Sequence, residues 1–197
     1  MEITNPTTGK NMMELYPSAG WSRMMFKAPI NFWRLGLGPL TGKIFLLITT
    51  TGRVSGLPRR TMVEYHKVEG RKYAACAFGD KADWYRNIQA DPNVTIQSSD
   101  GTESATAYRV SDDEELLDVY KVFKRRDPPL TNWYLASLEI EDTPEDVLEN
   151  KDKVHWIGFA PTAEATPPGL DVDLAWLWLV GLLALFGVWL TQKILKN

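Results

Sequence analysis

"TTTGRVSGLPRR", residues 49–60, decides how this chain is read. It follows the apolar run "IFLLI" at 44–48 and gathers two glycines, a proline, four hydroxyl residues and three arginines into twelve positions. A buried strand that feeds a glycine-bearing turn exposes backbone N–H groups, and a concave set of these binds anions. Thr50, Thr51 and Ser55 add hydroxyl donors, and Gly52 and Gly56 relax the backbone. Arg53, Arg59 and Arg60 add forked cations that suit phosphate and carboxylate. The turn is not a P-loop, because no Lys-Ser/Thr follows the second glycine and no helix is predicted next. It is not a GxGxxG fingerprint either. A solvated basic hairpin has the same composition, so residue types alone leave both readings open.

The rest of the chain gives that basic cluster its contrast. Net charge over 197 residues is -3, so no global basic field recruits nucleic acid. One cysteine, Cys76, excludes an internal disulfide, and with only His66 and His155 a zinc or non-haem iron centre is not expected. The polar start "MEITNPTTGK" lacks an export signal.

Strand signals dominate from residue 44: "KIFLLIT", then "RTMVEYHKV" and "RKYAACAF" joined by the tight turn "EGR". "NVTIQS" and "TESATAYRV" form a second hairpin around Asp100-Gly101, and "KVHWIGFA" (153–160) supplies a last strand. Helices are predicted over 80–90, capped by Asp80, and over "DDEELLDVYKVFKRR", with Ser111 and Glu114 as a capping box. One or two short helices are expected within 130–150, and an amphipathic segment over 21–40. Without βαβ alternation, these elements predict an α+β domain built on an antiparallel barrel with peripheral helices. The expected organisation is an arm at 1–20, the barrel domain at 21–160, a Pro- and Ala-rich linker at 161–173 and an apolar helix at 174–192.

"LAWLWLVGLLALFGVWL" (174–190) carries no charge and would span roughly 26 Å as a helix. Trp176, Trp178 and Trp189 lie near its ends, where interfacial aromatics belong. A single membrane anchor is therefore expected. Lys193 and Lys196 after the span would place the domain outside by the positive-inside rule, whereas the missing export signal places it in the cytoplasm. The expectation adopted is a tail anchor with a cytoplasmic domain.

"LLITTTGRVSGLPRR" and, some thirty residues later, "ADWYRNIQADPNV" together resemble the deazaflavin-dependent nitroreductase family, whose members often bind coenzyme F420. The likeness runs from "RLGLGPL" at 34 to "IGFAP" at 157. It implies a split β-barrel like that of FMN-binding oxidases. It also implies hydride transfer from reduced F420 to quinones, nitroaromatics or enones. The family's turn falls on Thr49 to Arg59, where it would hold the cofactor's phosphate and acidic tail. Thr61, Met62 and Val63 fall where the ring is lined, and the W-Y-x-N signature falls on Trp84, Tyr85 and Asn87. Trp84 also has an ordinary core reading, stacked with Ile88 at helical spacing.

Two departures stand out. Val54 occupies a position that is basic in many relatives, with Arg60 as the compensating charge. "AFGDK" (77–81) replaces the usual glycine-rich loop, bringing Ala77, Phe78 and Lys81 to the cofactor, with Lys81 as an anion contact. FMN remains the alternative cofactor, and a non-catalytic F420-binding membrane module the alternative function. No catalytic triad is expected, since the cofactor carries the hard chemistry. Tyr134 is the candidate donor to the acceptor, ahead of Tyr120, and His155 is read as a strand residue. Expected partners are a small-molecule acceptor such as menaquinone and the membrane lipid.

Overall fold

The computed structural model describes residues 30–195. The arm at 1–20 and the first part of the amphipathic segment lie outside the described residues. Residues 30–34 are helical, the chain reverses through Gly36 (φ 83°), and a short helix α1 follows at Gly38–Thr41. The indole of Trp33 lies against Gly38, where an added Cβ would come within 2.4 Å of the ring.

The strands are β1 (Phe45–Thr51), β2 (Pro58–Val68), β3 (Arg71–Ala75), β4 (Asn93–Ser98), β5 (Gly101–Arg109) and β6 (Trp156–Pro161). They close into an antiparallel barrel in the order β1-β2-β3-β6-β5-β4, with β4 returning to β1 through Ile48↔Ile96. The predicted α+β barrel is thus the observed fold. The "EGR" turn is a two-residue loop with Glu69 (φ 50°) and Gly70 (φ 84°) between paired Val68 and Arg71, the geometry that suits a twisted hairpin. Leu46, Ile48, Val94, Ile96, Ile157 and Phe159 fill the interior, plugged at one side by Tyr85 and Ile88 of α2 (Asp83–Ala90).

A second core lies outside the barrel. Helices α3 (Asp113–Arg126), α4 (Pro128–Ser137) and α5 (Pro144–Glu149) gather round the fully buried Trp156, whose ring lies 5.7 Å from Phe123 and 6.1 Å from Tyr134.

Three expectations are corrected. Asp80 does not cap α2: Gly79–Lys81 forms a separate 3-10 turn, and Ala82 in extended conformation (ψ 121°) separates it from the helix, which starts at Asp83. Asp112, not Ser111, caps α3, because its carboxylate reaches the Glu115 N–H at 3.0 Å. The segment at 161–173, expected as a linker, is tied along β4. Gln97 exchanges two bonds with Leu170, at 3.1 Å to its carbonyl and 2.6 Å from its N–H. Thr95 Oγ1 meets Thr166 Oγ1 at 2.8 Å and also the Pro167 carbonyl. Prolines donate no N–H, so this segment is held mainly through its carbonyls.

Helix α6 (Trp176–Leu195) is the apolar one. Its window Trp176–Lys193 is long and apolar enough to cross a membrane, with mean hydropathy 1.3 and nothing in it buried. Its start is fastened to the barrel domain. Arg34 grips Asp173 through two bonds of 2.8 and 2.6 Å, Leu174 N–H donates to the Arg34 carbonyl at 2.9 Å, and Trp178 Nε1 donates to the Leu35 carbonyl at 2.8 Å.

Candidate cofactor groove

The turn between β1 and β2 is built around Gly52. Its N–H donates to the Leu57 carbonyl at 2.9 Å, and its own carbonyl accepts from Ser55 and Gly56 at 3.1 and 2.7 Å. A Cβ on Gly52 would lie 2.8 Å from Ser55 Oγ and 3.0 Å from the Leu57 oxygen, so the close approach requires glycine. Gly56, at φ 67°, sits in the left-handed region that glycine occupies without strain.

The three arginines are used differently. Arg53 clasps α2: Nη2 reaches Asp83 Oδ1 at 3.0 Å, and Nη1 reaches Asn87 Oδ1 at 3.0 Å. The buried Asn87 completes the clasp by donating from Nδ2 to Thr50 Oγ1 at 3.0 Å. The W-Y-x-N asparagine therefore bolts the turn to the helix. Arg59 is exposed and meets the Ser55 hydroxyl at 3.1 Å. Arg60 donates from Nη2 to the Gly169 carbonyl at 3.1 Å, while its buried Nε has no protein partner among the described residues.

These groups border a groove of about 1590 Å³, above the roughly 300–1,000 Å³ of an ordinary small-molecule pocket. Of the residues singled out in the sequence, Thr50, Gly52, Arg53, Ser55, Arg59, Arg60, Thr61, Met62, Val63, Ala77, Phe78, Trp84, Asn87 and Tyr134 line it. Thr51 at the end of β1, Gly56 at the turn apex and the exposed Lys81 do not. Trp84 packs on the barrel core and also lines the groove. The sequence reading missed Asn31 and Arg34 before the barrel, Glu64 on β2, and Leu170 and Asp173 beyond it. Their signal was long-range: nothing local says that residue 170 returns to residue 97.

The titratable groups on and near the wall are tuned by burial. Tyr134 is 3% exposed, and desolvation pushes its phenol far up, so it stays protonated. Its oxygen accepts the His155 N–H at 2.7 Å, and its own O–H has no protein acceptor among the described residues. Burial, then the Arg109 charge, lower His155, which is neutral at pH 7. Burial, with the nearby Asp127 carboxylate second, raises Glu64. Cys76 is buried and pushed up to about 12, which removes it as a nucleophile.

A planar redox ring with an anionic tail fits these residues. Met62, Val63, Ala77, Phe78 and Trp133 supply apolar wall. The orphaned Arg60 Nε and the exposed Arg59 supply donors. The smaller cavity of about 330 Å³, on the α3 side, is lined by Glu69, Asp112, Glu114, Glu115 and Asp118 and would repel such a ligand.

Residues 34–133, about half of the chain, match the family described as F420H(2)-dependent quinone reductase. The chain belongs to that family. It is accordingly an F420H2-dependent reductase, an oxidoreductase, as the turn and W-Y-x-N motifs led us to expect. Similar solved structures include an F420-H2 dependent reductase (FDR-A), 23% identical over 59% of this chain and 93% of its own, with a TM-score of 0.44. The heme storage protein HutZ from Vibrio cholerae is 15% identical over 75% of this chain and 98% of its own, with a TM-score of 0.43. A conserved hypothetical protein from Mycobacterium tuberculosis is 18% identical over 70% of this chain and 89% of its own, at 0.41.

Proposed function

We propose that this reductase binds F420H2 in the groove, with the anionic tail at the turn and the ring against β2, and reduces a membrane-dissolved quinone such as menaquinone. The observation that carries the proposal is the polarity of the groove: basic donors at the turn, apolar wall along β2, and one buried, protonated phenol. F420H2, when bound, supplies the hydride. The chain's residues supply position and polarity. Arg59 and Ser55 present donors at the solvent edge, and Gly52 lets the backbone close beneath them. Arg53 and Asn87 hold the turn against α2, which fixes the donor geometry before any ligand arrives. Tyr134 lines the groove with a buried, protonated phenol, and the role assigned to its O–H is that of a fixed donor to negative charge developing on the acceptor oxygen.

Helix α6 serves as a single-pass anchor, with the barrel on the cytoplasmic face, where a hydride donor regenerated by metabolism is at hand. Mixing the full-length protein anaerobically with F420H2 and menaquinone in liposomes should deplete reduced F420. No depletion with a demonstrably occupied groove ends the proposal. Protease added to intact cells should spare the barrel; cleavage from outside reverses the assigned side.

A further inference from the structure

We propose that the strap at 161–173 and the helical residues 30–34 hold the open end of the groove against the bilayer surface, so that the acceptor enters sideways from the lipid. This rests on reading α6 as a membrane span and the groove as the cofactor site.

Arg34 and Asp173 both line the groove, and they are joined to each other by two charge-assisted bonds of 2.8 and 2.6 Å. Asp173 is three residues from Trp176, where the apolar window begins. Even a fully extended chain covers at most about 11 Å in three residues. The headgroup layer is roughly 5–7 Å thick on each side of the hydrocarbon. The groove wall at Asp173 therefore lies within, or just above, the headgroups.

A tether alone would not fix which face looks down. A free chain of thirteen residues has a root-mean-square span of about 20 Å, enough for the barrel to turn any side to the lipid. This segment is not free. Gln97 and Arg60 hold Leu170 and Gly169 to the barrel at 2.6–3.1 Å. Trp178 Nε1 is in turn bonded to the Leu35 carbonyl at 2.8 Å, which ties the span's first turn to the residue after Arg34. Phe32, 46% exposed, stands on the same helical turn as Arg34, and Trp176 and Trp178 at the start of α6 are exposed as well. Exposed indoles at the start of an apolar span are typical interfacial residues. The surface thus fits a lipid headgroup layer, and the acceptor class it selects is one dissolved in the hydrocarbon.

Depth-dependent quenching on the full-length protein in liposomes tests this without turnover. Cysteine replaces Phe32, Val188 or Glu145 singly, each carrying the same environment-sensitive fluorophore; native Cys76 is buried with a thiol pushed up to about 12 and stays unlabelled. Val188 lies inside the span, and Glu145 lies on α5, which does not line the groove. Lipids brominated near the headgroup should quench the label at 32 at least two-fold more than that at 145. Deep-brominated lipids should quench the label at 188. Quenching at 188 with 32 no better quenched than 145 overturns the docked groove while leaving the anchor intact. No quenching at 188 overturns the anchor, and the docking with it. Asn31→Cys offers a second reporter on the same turn and should behave as 32 does. Asp173→Asn should at least halve the quenching at 32; unchanged quenching in that variant overturns the role of the Arg34–Asp173 pair.

Discussion

The turn at 52–57 and the strap at 161–173 border the same groove, and both are made of residues that interrupt regular structure. They use their polar groups in opposite ways. In the turn, backbone bonds through Gly52 build the shape, Arg53 is committed to α2, and Arg59 is left exposed with the Ser55 hydroxyl as its one side-chain partner among the described residues. In the strap, carbonyls from Pro167 to Leu170 are taken up by Thr95, Arg60 and Gln97. One segment leaves donors exposed, and the other is consumed by the fold. Composition alone would have treated both as loops. Whether a polar group is spent is decided by its partner.

That contrast can be broken or sharpened by substitution. The largest effect belongs to the wall between the two segments. Tyr134→Phe should lower kcat about 10²- to 10³-fold, the usual cost of losing one donor to a developing oxyanion, with F420H2 affinity unchanged. Stopped-flow reduction of quinone reads it, and a kcat within three-fold of the parent removes the hydroxyl from the chemistry. Next comes the turn's uncommitted cation. Arg59→Ala should weaken F420H2 binding by about 1.5–3 kcal/mol, roughly 10- to 100-fold, as seen by fluorescence titration. Binding that does not change would mean the anion lies elsewhere.

Asn87→Ala should act on stability first. It leaves Arg53 and Thr50 without their shared partner, at about 1–3 kcal/mol, or very roughly 2–4 °C of Tm per kcal/mol. A thermal melt identical to the parent's would show that the clasp contributes nothing. Gln97→Ala removes two strap bonds worth about 0.5–1.5 kcal/mol each and should speed hydrogen exchange at the Leu170 amide. Exchange that stays slow would mean the strap is held by other contacts.

The smallest effect is a pH dependence. Burial lowers His66 and His155, so between their folded-state values and the ordinary 6.5 or so the unfolded chain binds more protons than the folded one. Their contribution to stability is complete above that ordinary value and is lost as pH falls below it. His155→Gln should flatten the fall in Tm between pH 7.5 and 5.5. An equally steep fall in the variant would assign it to other groups, with Glu64 excluded because its raised pKa acts in the opposite sense.

The fold was legible where the signal is local. Alternating strands, the Glu69-Gly70 hairpin and the acid-to-base order along α3 all depend on neighbours in sequence. The turn and the β2 wall were legible because one contiguous stretch supplies both. Misreadings arose where the adjacent residue took the role, as Asp112 caps α3 in place of Ser111, or where the partner is distant, as Leu170 is from Gln97. Arg53 shows the limit most sharply. Its charge was visible in the sequence, but its commitment to Asp83 and Asn87 was not.

The return of β4 to β1 has a consequence for crowding. Among the described strands the longest run with a partner on one side only is Pro58–Glu64 of β2, the stretch that borders the groove, so a neighbouring copy finds little other strand margin on which to template cross-strand aggregation.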